Sequence, residues 1–182
     1  MGFWLQLGVS GFRMDAVPFV IAEKGAPVTR PTEQYDMLRM FSEFLTWRKG
    51  EAIILAEANV LPDKDLKYFG DSGERLQMMF NFEVNQHLFF ALASSDSRPL
   101  VKASKDTKPR PATAQWGHFL RNHDELDLGR LNKKQRETVF AAFGPDEDMQ
   151  LYLGRFFIPS VGNIPRLGDE ICVAQQFGAV CA

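Results

Sequence analysis

Three acids in this chain each close a short apolar run. Asp15 stands in Gly11-Phe12-Arg13-Met14-Asp15-Ala16, Glu57 in Leu55-Ala56-Glu57-Ala58-Asn59, and Asp124 in Leu120-Arg121-Asn122-His123-Asp124-Glu125. Acids at the ends of buried strands can act as a pair on one bond. One carboxylate attacks carbon, and a protonated partner gives its proton to the leaving oxygen, as glycosidic bond cleavage requires. Such a pair needs environments that push the two pKa values apart. Arg13, two residues ahead of Asp15 on the same face of an extended chain, favours the ionised form of Asp15. Glu57 follows an apolar run, so partial desolvation would raise its pKa. Asp124 can stabilise a cationic transition state, and His123 can add a hydrogen bond to a sugar.

Plainer roles fit the same residues. Arg13 and Asp15 can form a structural ion pair. Glu57 can be a helix N-terminal carboxylate. Residues 122–125 can be a polar turn that caps a helix. Metal binding by His123 and Asp124 is weakly supported, because no neighbour completes a ligand set. His87 and His118 suit packing or surface roles, and the Met and Phe residues of 78–90 suit a core.

The elements that must position the acids can be read from periodicity. Phe3 to Leu7 reads as a helix tail stopped by Gly8. Val9 to Val17 reads as a strand ended by Pro18, and Ala22 to Pro31 as a loop. Thr32 is the expected cap of a helix carrying Tyr35, Leu38, Met40, Phe41, Phe44 and Leu45, with Gly50 as its stop. Ala52 to Ala56 reads as a strand buried on both faces. Leu76 to Phe82 is a third strand, leading into an apolar helix through Ala93. Ser94 to Thr113 reads as an exposed connection, Trp116 to Arg121 as a fourth strand, Lys133 to Phe143 as a helix, and Ile164 to Ile171 as a last strand and loop. Strands alternating with helices predict a parallel sheet. At roughly 30 residues per strand-helix unit, the acids fall on strands n, n+1 and n+3 of a (β/α)8 barrel, at the ends where barrels carry chemistry.

The 182 residues are 45% hydrophobic and 24% charged, with a net charge of −2. That is a globular composition, with no charge excess calling for nucleic acid or an anionic membrane. No apolar run reaches membrane-spanning length, and the first residues lack secretory features. Cys172 and Cys181 make neither a disulfide framework nor a metal site. A cytoplasmic location is the expectation.

Gly-Phe-Arg-Met-Asp-Ala resembles the nucleophile motif of the α-amylase superfamily (glycoside hydrolase family 13). Ala-Glu-Ala-Asn resembles its acid/base strand, and Asn-His-Asp the segment supplying its third acid. The resemblance implies that Asp15 is the nucleophile, Glu57 the general acid/base and Asp124 the transition-state stabiliser. It makes Arg13 and His123 substrate-binding residues. Asp15-Ala-Val-Pro18, Tyr68-Phe-Gly-Asp71, Met78-Met-Phe-Asn-Phe82 and Gln115 to Leu126 resemble the trehalose synthase subgroup. This implies maltose and trehalose as small-molecule partners. The implied fold is α/β, a partial (β/α)8 TIM barrel of about the fourth to eighth units. It covers a catalytic segment at 1–171 and leaves 172–182 as an unassigned tail.

The family's first three strands are absent, and the stretch between Tyr152 and Arg166 is shorter than in the family. A partial or internally deleted copy is therefore expected, with exposed edges that favour self-association. The chemistry needs no cofactor. The family's structural calcium is doubtful here, because Ala22 stands where the synthases tend to have Glu. Three readings follow: a glucosyl-transferring isomerase, an amylase- or glucosidase-type hydrolase, and a catalytically silent fragment.

Overall fold

The computed structural model describes residues 1–25, 33–107, 109–120, 125–146, 149 and 155–157. The chain divides into two compact units. One is built from the described residues of 1–80 and 109–117, the other from those of 81–108 and 118–157.

The first unit is a parallel sheet with helical crossovers. Strands β1 (Gly11–Met14), β2 (Ile53–Ala56), β3 (Met78–Phe80) and β4 (Gln115–Gly117) lie side by side in chain order. Parallel neighbours cannot be joined by a hairpin. Helix α3 (Asp36–Arg48) accordingly links β1 to β2, and α4 (Pro62–Phe69) links β2 to β3. Helix α1 (Gly2–Gln6) precedes β1, and the short α2 (Val17–Val20) follows it.

Strand alternation divides the sheet's residues between two faces. Ile54, Ala56 and Met79 are fully buried, with Trp116 close behind. They share one core with Leu38 and Leu45 of α3 and with Tyr68 and Phe69 of α4. Phe12 and Met14 pack against that core. The opposite parity holds Arg13, Ile53 and Leu55. Ile53 is 39% exposed there, so β2 is not buried on both faces as its apolar run suggested. Close strand approach helps set the β1–β2 register. A Cβ on Gly11 would lie 2.6 Å from the Ile53 carbonyl oxygen, so only glycine fits without a shift.

Several boundaries differ from the sequence expectation. β1 covers only residues 11–14, and Pro18 sits in the first turn of α2, where a missing N–H costs nothing. Helix α3 has Tyr35 rather than Thr32 at its N-cap, with no side-chain cap, and Thr32 lies outside the described residues. Helix α4 was not expected. Its signals are Pro62 in the first turn, Asp63 and Asp65 at the positive helix end, and Gly70 at φ +83° just past the last residue. The last strand expected at 164–171 lies outside the described residues.

The second unit is helical with a small antiparallel pair. Helix α5 (Phe82–Ser94) is capped by the Asn81 side chain, which accepts from Val84 N–H at 3.0 Å. Helix α6 (Arg98–Asp106) occupies what read as an exposed connection. Its Lys and Arg residues masked a buried stripe in which Ala103 is 2% exposed, followed by the 4%-exposed Thr107. Helix α7 (Lys133–Phe143) opens with a reciprocal capping box between Asn132 and Gln135. Strand β5 (Glu125–Asp127) pairs antiparallel with β6 (Arg155–Phe157), a pairing the sequence did not signal. Phe89, Leu126, Leu128, Leu131 and Val139 form this unit's core. Among the described residues no helix is long and apolar enough to cross a membrane.

The division of β2 between two faces is testable. Ile54→Ala should cost about 2–5 kcal/mol through lost burial and a residual cavity. Ile53→Ala should cost under about 1 kcal/mol, because its side chain is already partly solvated. Urea unfolding of the two variants compares them, and equal losses would contradict the assignment.

Candidate active site

Two of the three acids meet at the C-terminal end of the parallel sheet. β1 ends at Met14, so Asp15 is the next residue, and β2 ends at Ala56, so Glu57 is the next. The register pairs Arg13 with Leu55 and Met14 with Ala56. One further step sets Asp15 beside Glu57.

Backbone hydrogen bonds hold that step. Glu57 N–H donates to Met14 C=O at 2.9 Å, and Val17 N–H donates to Glu57 C=O at 3.0 Å. Asp15 therefore lies in the short span bridged by both polar groups of the Glu57 peptide. Between Asp15 and Val17, Ala16 adopts the left-handed conformation at φ 47° and ψ 45°. A non-glycine residue there is uncommon and carries modest strain. The turn reverses the chain immediately after the acid and starts α2.

Arg13 joins the two carboxylates. Its Nη2 donates to Asp15 Oδ1 at 3.3 Å and also to Glu57 Oε2. The sequence paired Arg13 with Asp15 alone; the fold adds Glu57 from the neighbouring strand. One cation between two anions offsets the repulsion that paired carboxylates exert on each other. The rim is open: the Asp15 side chain is 69% exposed and that of Glu57 21%. Contact with one guanidinium nitrogen brings one oxygen of each carboxylate to the same point of the rim. Asp124 and His123 lie outside the described residues.

Sequence reasoning passed over two polar positions. Glu33 ends the connection from β1 to α3, and its carboxylate accepts hydrogen bonds from Tyr35 Oη and, at 2.9 Å, from Tyr68 Oη. Lys64 Nζ stands 3.8 Å away. Burial raises the Glu33 pKa, but the two phenol hydrogen bonds and the Lys64 and Lys67 charges outweigh it and hold the carboxyl below its usual range. Burial, then the bond to Glu33, pushes both phenols up. Tyr68 is 35 positions from Glu33, so nothing local in the sequence announced the contact.

The second position is Asn85, buried in α5. Its Nδ2 donates to Phe119 C=O at 2.7 Å and to Leu120 C=O at 2.9 Å, just ahead of Asn122-His123-Asp124 in the chain. A signal for it existed: Asn85 and Gln86 interrupt the buried stripe that Phe82 and Phe89 continue. His87 bonds the Glu83 carbonyl oxygen at 2.9 Å within α5.

Among the described residues no group of three His, Cys, Asp or Glu side chains is placed to hold a metal ion.

A parallel sheet with acids at the C-terminal ends of adjacent strands is the arrangement of a (β/α)8 glycosidase barrel. Residues 1–143 match the family model described as the α-amylase catalytic domain. The chain belongs to that family, glycoside hydrolase family 13, and its fold is a segment of the family's barrel. The trehalose synthase of Thermus thermophilus is 38% identical over 166 residues, covering 90% of this chain and 17% of that protein. The trehalose synthase/amylase of Mycolicibacterium smegmatis is 35% identical over 155 residues, covering 84% of this chain and 26% of that one. The chain thus spans about a quarter or less of the length of these relatives. The α-amylase of H. orenii shares the fold with a TM-score of 0.53 at 20% identity, covering 76% of this chain and 28% of that one.

Two measurements check these contacts. Glu33 has a depressed folded-state pKa, so its stabilisation is complete above the ordinary value of 4.5 and is lost as pH falls through the lower folded value. Glu33→Gln should therefore flatten the stability curve below about pH 4.5. Asn85→Leu leaves two carbonyls without their donor and should cost about 1–3 kcal/mol in urea unfolding.

Proposed function

We propose that this chain is the catalytic-acid segment of a retaining α-glucoside-active enzyme of the trehalose synthase type, which interconverts maltose and trehalose. The observation that carries the reading is the contact of Asp15 and Glu57 with a single guanidinium nitrogen of Arg13 at adjacent strand ends. Identity to a trehalose synthase and to a trehalose synthase/amylase over most of this chain supports the subgroup.

In this reading the Asp15 carboxylate attacks the anomeric carbon of maltose. The bond to the leaving oxygen breaks as Glu57 protonates that oxygen, releasing glucose and leaving a glucosyl ester on Asp15. The glucose turns within the site. Its anomeric hydroxyl gives a proton to Glu57 and attacks the anomeric carbon of the bound glucosyl group, and the Asp15 carboxylate departs from that carbon. Two inversions at one carbon retain its configuration. Asp124 stabilises the positive charge that develops on the sugar, and His123 orients the sugar hydroxyls. Arg13 holds both reacting carboxylates. The carbonyl-bonded Glu57 peptide limits how far the two acids can separate. These steps require no cofactor.

Water in place of the released glucose makes the same acids a hydrolase, so enclosure of the site selects between the outcomes. The test incubates the chain with maltose and resolves the products. Trehalose is expected, glucose alone would assign a hydrolase, and no product would assign a catalytically silent segment. Where turnover is seen, Glu57→Gln should lower kcat by about 10²–10⁴-fold. Asp15→Ala should abolish turnover, and unchanged turnover in that variant would remove Asp15 from the mechanism.

A further inference from the structure

The connection after Asp15 and the connection after Glu57 are fastened to each other by one carboxylate. The first runs from Ala16 to Glu33 and the second from Ala58 into α4. Glu33 forms an antiparallel bridge with Ala22, and Gln34 N–H donates to Ile21 C=O at 2.7 Å. These bonds close the base of the first connection. The Glu33 carboxylate then reaches α4, where it accepts the hydroxyl of Tyr68, a fully buried residue. Tyr35 approaches the same carboxylate and packs edge-to-face on Tyr68, with ring centroids 5.3 Å apart. The Arg75 guanidinium lies 5.4 Å from the centre of the Tyr35 ring.

The constraint reaches back to the acid along a short path. Ile21 and Val17 are both fully buried in the core that holds Tyr68. Val17 N–H is bound to the Glu57 carbonyl oxygen, and Asp15 is two residues away. The half-buried Glu33 carboxylate is costly to displace, because the fully buried Tyr68 hydroxyl would lose its acceptor away from water. The turn that carries Asp15 is thus pinned on two sides, by Glu57 at the rim and by Glu33 at the loop base.

We propose that Glu33, acting through Tyr68, is a positioning residue for Asp15. This rests on the reading of Asp15 as nucleophile, but its first test does not. Tyr68→Phe keeps the ring and removes the hydroxyl; Glu33→Gln keeps the side-chain size and removes the charge. Amide hydrogen exchange on the full chain compares both with the parent. Exchange at Val17 and Ile21 should quicken at least about tenfold while Leu45 and Ile54, in the same core, change less than about twofold. No change at Val17 and Ile21, or equal acceleration at all four, overturns the proposal, the second result assigning Glu33 a merely structural role. The second readout is turnover of an α-glucoside by the same variants: kcat should fall at least about tenfold with KM held within about threefold. Equal losses in kcat and stability, or a change confined to KM, would also overturn it. If the parent chain turns over no α-glucoside, the functional reading fails by itself, and the exchange result alone decides whether Glu33 pins the turn.

Discussion

The Glu57 peptide is the joint on which the rim depends. Its N–H is bonded to Met14 and its carbonyl oxygen to Val17, so it spans the turn that contains Asp15. Each bond alone contributes about 1 kcal/mol net. Together they do something a single bond cannot, since they fix both the register of the strand ends and the direction in which the chain leaves Asp15. Slippage by one residue would send every side chain of β1 to the opposite face, placing Arg13 and Asp15 against α3. The core opposes that slip, because Phe12 and Met14 pack against it and Ile54 and Ala56 are fully buried within it.

Electrostatics then works within a frame that packing has built. Arg13 shares a face with Asp15 by strand alternation and meets Glu57 by register. The Arg13 ion pairs are exposed, so their direct contribution to folding is small. Their consequence is local: two negative groups are held at short range at the open end of a sheet. The left-handed Ala16 belongs to the same economy of position. A strand that continued past Asp15 would carry Val17 away from the Glu57 carbonyl.

Much of the first unit was legible because its signals are local. The apolar run before Glu57, the Arg13–Asp15 spacing and the helical pattern of 36–48 each involve one element or the residue that follows it. Where local signals conflict, the reading fails. Ser94 to Thr113 looked like a loop because Lys, Arg and Pro dominate it, yet Pro99 belongs to the first turn of α6 and the charges lie on its exposed side. Helix α4 carried its start and stop signals, but it is only 8 residues long, too short for periodicity to stand out. The strand of 53–56 showed its apolar character but not which of its faces the core would cover.

The sequence by itself determined the family, the parallel α/β architecture and the places of Asp15 and Glu57 at strand ends, because motif and period are properties of neighbouring residues. Tertiary structure alone decided that Arg13 serves Glu57 as well as Asp15, that Glu33 meets Tyr68, and that Asn85 holds the carbonyls of Phe119 and Leu120. These partners stand tens of positions apart. Whether they touch depends on register and helix packing, which the whole core sets at once and no local pattern encodes.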